Sequence, residues 1–281
     1  MLAIIGGTGF YQIQGLEIKE EQTVDTPFGN PSAPIVRAVF NGRDLQFIPR
    51  HGCSHEFLPH EINYRANIFA LKKLGATRII SFSATGSLQE NIHPGDLVIP
   101  DQYFDWTRGR RQSSFFGEGL AAHISTAEPV CGSLTRWIAD HAKKMDLPLH
   151  TGKTYACVEG PRLGTKAESN FLRLAGCDLV GMTNVPEAFL AREAQMCYAA
   201  VCIITDYDCW MDDPSHHASV ASVLERYSAS IQKAQDLLRT LMDAPLSQTD
   251  HDCGTSLKEA LITADDAVPE GKKAILQILQ K

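Results

Sequence analysis

Apolar, β-branched runs that stop at glycine or polar residues recur along the chain, and amphipathic helical patterns fill most of the gaps. LAIIGG (2–7), DLQFIPRH (44–51), TRIISFSATGS (77–87), DLVIP (96–100), KTYACVEG (153–160), CDLVGMT (177–183) and CYAAVCIITD (197–206) read as strands. NYRANIFALKKLG (63–75) spaces Ile68, Leu71 and Leu74 three residues apart and stops at Gly75, as a helix does. LTRWIADHAKKM (134–145), VPEAFLAREAQM (185–196), VASVLERYSASIQKAQDLLRTLM (220–242) and EGKKAILQILQ (270–280) read as further helices. This alternation predicts an α/β protein with a central sheet flanked by helices, and some strands are short enough for that sheet to be mixed. The chain reads as one domain, 1–281, in which APLSQTDHDCGTS (244–256) is an exposed connector before a small C-terminal helical piece that completes 244–281.

Charge and composition narrow the partners. A formal net charge of −7 argues against nucleic acid, because neutralising phosphates needs a basic surface. RGRR (108–111) is the one dense basic run, and it reads as a solvated loop. No stretch reaches the roughly 20 apolar residues of a membrane span, and the N-terminus lacks the basic region of a signal peptide. The 8 cysteines form neither C-x-x-C nor a Cys/His cluster with zinc spacing, and Cys157, Cys197 and Cys202 sit inside apolar runs. The expectation is a cytoplasmic protein without structural disulfides or a bound metal.

In α/β sheets ligands gather beyond the carboxyl ends of strands. The residues there are Thr8, Arg50, His51, Ser83 with Ala84, Met182 with Thr183, and Asp206 with Asp208. Thr8, Ser83 and Thr183 supply hydroxyls, Arg50 a fork of donors and His51 a further donor, which suits an anion held by several loops. Asp206 and Asp208 place carboxylates at another strand end, suited to a nitrogenous ring, although two such aspartates also serve as helix caps. The glycine-rich IIGGTGF (4–10) fails the dinucleotide pattern G-x-G-x-x-G at its last position, which leaves a phosphate loop or a plain tight turn. From the residues alone, the chain is a small-molecule enzyme that handles a phosphate-like anion.

GGTGF, VDTPFGNPS (24–32), RHGCSHEFLPHEINYRANIFALKKLG (50–75), ATGSL (84–88), PGDLVIPDQYFDWT (94–107), VEGPRLGTKAES (158–169), GMTNVPEAFLAREA (181–194) and TDYDCW (205–210) together resemble the trimeric purine nucleoside phosphorylases. The resemblance runs in order over about residues 1–242 and fades beyond. It implies a nucleoside phosphorylase-like fold and reversible phosphorolysis, in which inorganic phosphate as co-substrate attacks C1′ while the purine leaves. No metal or organic cofactor is implied. It assigns the IIGGTGF loop to phosphate, through Thr8, together with Arg50, His51, Ser83 and Thr183. Ala84 and Met182 fall where the family lines the ribose. Asp206 falls at purine N7, as the group that helps to protonate the leaving base, and Asp208 falls at the 6-amino group.

The resemblance also bears on specificity. An ionised carboxylate only accepts hydrogen bonds, so the aspartate pair favours a 6-aminopurine over a 6-oxopurine, for which relatives carry asparagine at the position of Asp206. Val220 and Val223 fall in the 5′ pocket and favour an apolar methylthio group, while His216 and His217 lie just upstream. Leu163 and Gly164 replace an aromatic and a small polar residue often found beside the base. His123 matches a residue that reaches a neighbouring subunit's site, which implies a homotrimer. The expected reaction is therefore phosphorolysis of 5′-methylthioadenosine to adenine and 5-methylthioribose 1-phosphate. The alternatives are the same reaction on adenosine, inosine or 5′-methylthioinosine, and a non-catalytic purine-nucleoside binding protein.

Overall fold

The computed structural model describes residues 1–6, 15–213, 220–245 and 252–281, with backbone alone for 220–224. Nine strands form one mixed sheet: β1 Leu2–Gly6, β2 Glu17–Gln22, β3 Ile35–Phe40, β4 Arg43–Pro49, β5 Arg78–Ser87, β6 Leu97–Trp106, β7 Leu149–Val158, β8 Leu179–Gly181 and β9 Cys197–Asp206. Among the described residues six α-helices pack around them: α1 Tyr64–Lys73, α2 Gly132–Lys144, α3 Lys166–Leu174, α4 Asn184–Glu193, α5 Val220–Asp243 and α6 Glu270–Leu279. The order β2-β3-β4-β1-β5-β8-β7-β6-β9 closes on itself, because β9 also pairs with β5. The strands β5, β8, β7, β6 and β9 therefore form a ring, and the remaining strands extend from it as an open wing.

Hydrophobicity explains the layering. β1 and β9 are buried along their whole length, as strands covered on both faces must be. One apolar cluster, containing Ile5, Ile48, Ile68, Leu190 and Ile204, lies on the α1 and α4 side. A second, containing Leu2, Phe47, Ile138, Leu237 and Ile203, lies on the α2 and α5 side, and a smaller third gathers Leu88, Ala156, Leu172, Cys177 and Trp210. The C-terminal piece is part of the first cluster through Leu257, Val268, Ile275, Leu276 and Leu279. Residues 246–251 of the expected connector lie outside the described residues, and just beyond them Cys253 is buried. Among the described residues no helix is long and apolar enough to cross a membrane.

Two strands, β2 and β3, and one helix, α3, escape the periodicity reading, and a third strand, β6, is read too short. β2 (EIKEEQ) is an exposed edge strand whose charges hide its pairing with β3. α3 is announced by a capping box instead of an apolar stripe: the Thr165 hydroxyl accepts from Glu168 N at 3.2 Å, and the Glu168 carboxylate accepts from Thr165 N at 2.8 Å. β6 runs to Trp106 and not to Pro100, because its second half is solvent-facing and carries no apolar run.

Two buried titratable groups set opposite pH slopes. Glu193, at the end of α4, accepts from Ser114 Oγ and Phe115 N, both at 2.7 Å, and burial pushes its carboxyl up to about 7. A carboxyl raised in this way contributes stability that is present below its unfolded value of about 4.5 and lost as pH rises toward 7. Burial pushes the His51 imidazole down to about 4, so its contribution is present above about 6.5 and lost as pH falls toward 4. The two slopes offset one another in the wild type. Glu193→Gln should remove the first, gaining about 3 kcal/mol at pH 8 relative to its effect at pH 5. Urea unfolding of both proteins at the two pH values checks this, and parallel pH profiles would contradict it.

Candidate active site

The carboxyl ends of β1, β4 and β5 meet where the sequence places the anion. Parallel pairing sets Gly6 of β1 opposite Pro49 of β4, and Arg50 N donates to Gly6 O at 3.0 Å. The Gly-rich loop leaves β1 at this point, and Thr8 within it lies outside the described residues. The Arg50 side chain is 2 % exposed. Its Nε and Nη2 grip the Glu187 carboxylate at 2.7 and 3.0 Å, Nη1 donates to Phe82 O at 3.0 Å, and Nη2 also reaches Ser81 Oγ. Among the described residues these contacts use all but one Nη1 hydrogen of the guanidinium. Burial alone would lower the Arg50 pKa, and Glu187 more than offsets it, so the group stays charged.

Glu187 organises this end of the site, and the sequence shows it only as an acid in the first turn of a helix. It also accepts from Ser81 Oγ at 2.7 Å and Tyr198 OH at 2.9 Å. Val185 is extended ahead of Pro186, as a residue before proline prefers, so the regular turns of α4 begin there and leave Thr183 and Asn184 at its mouth. Thr183 is buried at the positive end of the helix, and its side chain makes no capping bond to α4. Ser83 Oγ donates to Asn184 Oδ1 at 3.3 Å, which brings Ser83 next to Thr183. Arg50, Ser83 and Thr183 are thus gathered around one point through Glu187 and Asn184.

His51 departs from its expected role. Its Nδ1 lies 2.8 Å from the Phe57 carbonyl, which can only accept, so Nδ1 carries the proton. The ring stacks on His55 at 4.3 Å, and burial, helped by the Arg50 charge, keeps it neutral near pH 7. Its Nε2, which has no hydrogen-bond partner among the described residues, is then an acceptor, where the sequence suggests a donor.

Asp206 ends β9 and is 5 % exposed. Its Oδ2 accepts from Thr205 Oγ1 and its Oδ1 from Asp208 N, both at 2.7 Å. Asp208 is also buried, and burial together with the nearby Asp206 charge raises its carboxyl above the ordinary range. The backbone turns at Asp208 with φ +52°, and no described helix begins until Val220, so neither aspartate is a helix cap. The β5–β9 register shifts between Thr85 and Gly86, and Gly86 faces the pair. A Cβ on Gly86 would lie 2.9 Å from Asp206 Oδ1 and 3.2 Å from Val180 Cγ1. Gly86→Ala should therefore displace the Asp206 carboxylate and lower kcat by roughly 10- to 100-fold with the fold retained. Steady-state kinetics beside circular dichroism would check this, and an unchanged kcat would remove Asp206 from the chemistry.

A cavity of about 130 Å³ opens next to Asp208, lined among others by Trp106, Val158, Gly160, Gly164 and Val180. Gly160 adopts φ +66°, and a Cβ there would strike Met182 Sδ at 2.5 Å, so this glycine makes room for Met182. Ala84 is an exposed residue in the otherwise buried part of β5, and Met182 is half-buried. Leu163 is 38 % exposed, and its neighbour Gly164 forms the wall toward Asp208. His123 is exposed, and its backbone N donates to Ala260 O at 2.8 Å. The side chains of Val220 and Val223, and residues His216 and His217, lie outside the described residues.

The basic run RGRR splits in two. Arg108 and Arg110 are exposed, but Arg111 is buried. Its guanidinium donates to the carbonyls of Met182 (2.7 Å), Val185 (2.6 Å) and Glu159 (3.0 Å) and to the Glu159 carboxylate (3.1 Å). It fastens the strand ends that present Met182 and Thr183, a role that a run of charges in the sequence conceals.

A mixed sheet closed into a ring, with Arg50, Ser83 and Thr183 at one set of strand ends and a buried carboxylate pair at another, is the arrangement expected of a nucleoside phosphorylase. The family model described as "Phosphorylase superfamily" matches residues 1–242, and the chain belongs to that superfamily. It is 43% identical over 280 residues to an S-methyl-5′-thioadenosine phosphorylase of Geobacter sulfurreducens, covering 99% of this chain and 97% of that protein. A protein of the same description from Nitrosopumilus maritimus is 44% identical over 259 residues, covering 92% and 97%. Among solved structures, a methylthioadenosine phosphorylase from an antarctic soil metagenomic library superposes with a TM-score of 0.90 at 40% identity, covering 99% of this chain and 98% of that one. A methylthioadenosine phosphorylase of Schistosoma mansoni in complex with adenine gives 0.86 at 32% identity, covering 93% and 98%.

Proposed function

We propose that this protein is a pentosyltransferase that catalyses phosphorolysis of 5′-methylthioadenosine to adenine and 5-methylthioribose 1-phosphate. The observation that carries this reading is the buried Asp206–Asp208 pair at the end of β9, joined by the 2.7 Å bond from Asp208 N to Asp206 Oδ1. Two buried acceptor carboxylates held side by side suit a purine that offers its 6-amino group to Asp208 and a protonated N7 to Asp206. Phosphate lies among Thr8, Arg50, Ser83 and Thr183, with His51 Nε2 accepting from a protonated phosphate oxygen. Arg50 is already matched in charge by Glu187, so it orients the phosphate without quenching its negative charge. That charge stabilises the oxocarbenium-like sugar as the C1′–N9 bond breaks, and the Asp206 carboxylate accepts a hydrogen bond from the proton that N7 carries as the base departs.

Ala84 and Met182 line the sugar. By the family resemblance, Val220 and Val223 fall in the 5′ pocket, where apolar residues favour methylthio over hydroxyl by roughly 1–3 kcal/mol. Inorganic phosphate is the co-substrate, and the reaction needs no other cofactor. The working unit is a cytoplasmic homotrimer serving purine and methionine salvage, with the exposed His123 reaching a neighbour's site. The test is a substrate panel of 5′-methylthioadenosine, adenosine, inosine and 5′-methylthioinosine at saturating phosphate. Adenine release should be fastest from 5′-methylthioadenosine. Hypoxanthine released faster than adenine would overturn the roles of Asp206 and Asp208.

A further inference from the structure

At the opposite end of β9 from Asp206, three cysteines from distant parts of the chain converge. Cys131 precedes α2, Cys197 opens β9, and Cys253 lies in a short 3-10 helix, Asp252–Thr255. Their sulfurs all lie within 4.8 Å of one another, and the residues are 2, 1 and 3 % exposed. Backbone bonds fix two of them, from Cys131 N to Tyr198 O at 2.9 Å and from Cys197 N to Thr77 O at 3.0 Å. Buried cysteines often serve only as small hydrophobes. Two charge features here go beyond that role.

Arg192, 8 % exposed, points Nη1 at Cys253 Sγ from 3.9 Å. It is held there by the Ser125 carbonyl at 2.9 Å and by the outward-facing Asp252 carboxylate at 3.0 Å. Cys131 occupies the N-cap of α2 without a side-chain bond to the helix, so its sulfur sits at the positive end of the helix and is not engaged in capping. A buried cation and a helix N-terminus beside three sulfurs are what thiolates require.

We propose that Cys131, Cys197 and Cys253 form a binding site for a soft, thiophilic metal ion of low coordination number, Cu(I) in particular. Thiolate ligands select such ions, and three sulfurs suit trigonal coordination, whereas zinc takes four ligands. Each ligating thiol releases its proton to solvent, and the excess negative charge is offset by Arg192 and the start of α2. The site lies about 30 Å from Asp206 along β9, so the ion ties together α2, β9 and the C-terminal segment and takes no part at the nucleoside site. The zinc-like spacing sought in the sequence misses it because the three ligands are remote from one another in the chain.

The experiment is anaerobic titration of the fully reduced full-length protein with Cu(I) against a competing chromophoric chelator. Wild type and Cys53→Ser, which removes an exposed cysteine, should each retain a single equivalent and gain ultraviolet thiolate-to-copper absorption. Cys131→Ser and Cys253→Ser should fall to background. Serine is a favoured N-cap, so Cys131→Ser keeps the start of α2 intact. The metal-loaded wild type should also melt at higher temperature than the metal-free form, because the ion binds only the folded state. Equal uptake by wild type and both variants, no uptake at all, or zinc held while Cu(I) is not, would each overturn the proposal. So would a reduced cluster that closes a disulfide in air and never retains copper.

Discussion

Asp206→Asn is expected to lower kcat/KM for 5′-methylthioadenosine by roughly 10²–10⁴, the usual worth of a positioned proton donor or acceptor. The substitution is nearly silent for the fold. An asparagine Oδ1 still accepts from Asp208 N, and its Nδ2 can donate to the Thr205 hydroxyl, which replaces the two bonds the aspartate makes. What the amide loses is the capacity to take or hold a proton at N7. It also gains a donor, which matches the 6-oxopurine pattern, so the ratio of inosine to 5′-methylthioadenosine turnover should rise. Steady-state kinetics on both substrates, with the melting temperature as control, checks this. Wild-type activity and specificity in a stably folded variant would strip Asp206 of its role.

Glu187→Gln carries the second large effect. It leaves the Arg50 guanidinium, 2 % exposed, without its matching charge. Breaking a buried ion pair by removing one partner costs about 3–5 kcal/mol. The amide can keep a hydrogen bond to Arg50 and one to Ser81 or Tyr198, so the lower end of that range is expected. Phosphate can supply the missing negative charge. The melting temperature of the variant should therefore rise more on phosphate addition than that of the wild type, and its KM for phosphate should fall while kcat also falls. Equal phosphate-induced shifts in the two proteins would mean that Arg50 does not face the phosphate.

The alternation of strands and helices was legible because the core strands are apolar along their length, as in CYAAVCIITD, and because Gly75 ends its helix cleanly. Asp206, Arg50 and Thr183 were legible for a related reason: each is the polar residue at which an apolar run or glycine turn gives way at a strand end. The hidden elements lack that contrast. β2 is charged and gains its place only by pairing at the edge with β3. Glu187 looks like an ordinary first-turn acid until the fold carries Arg50, Ser81 and Tyr198 to it from other strands. Arg111 stands in a run that reads as solvated, yet five strand-end and loop carbonyls or carboxylates from Val158 to Val185 enclose it. Periodicity and spacing report local contrast, and these groups are defined by partners far away in the chain.

The most direct measurement is a product balance on the purified protein, given 5′-methylthioadenosine with and without inorganic phosphate. Adenine would be followed by absorbance and the sugar phosphate by phosphorus NMR. Adenine and 5-methylthioribose 1-phosphate should appear in equal amounts, with one phosphate consumed for each, and neither should form when phosphate is withheld. Adenine released at the same rate without phosphate, or no release in either condition, would contradict the reading of the Arg50, Ser83 and Thr183 cradle as the seat of the attacking phosphate.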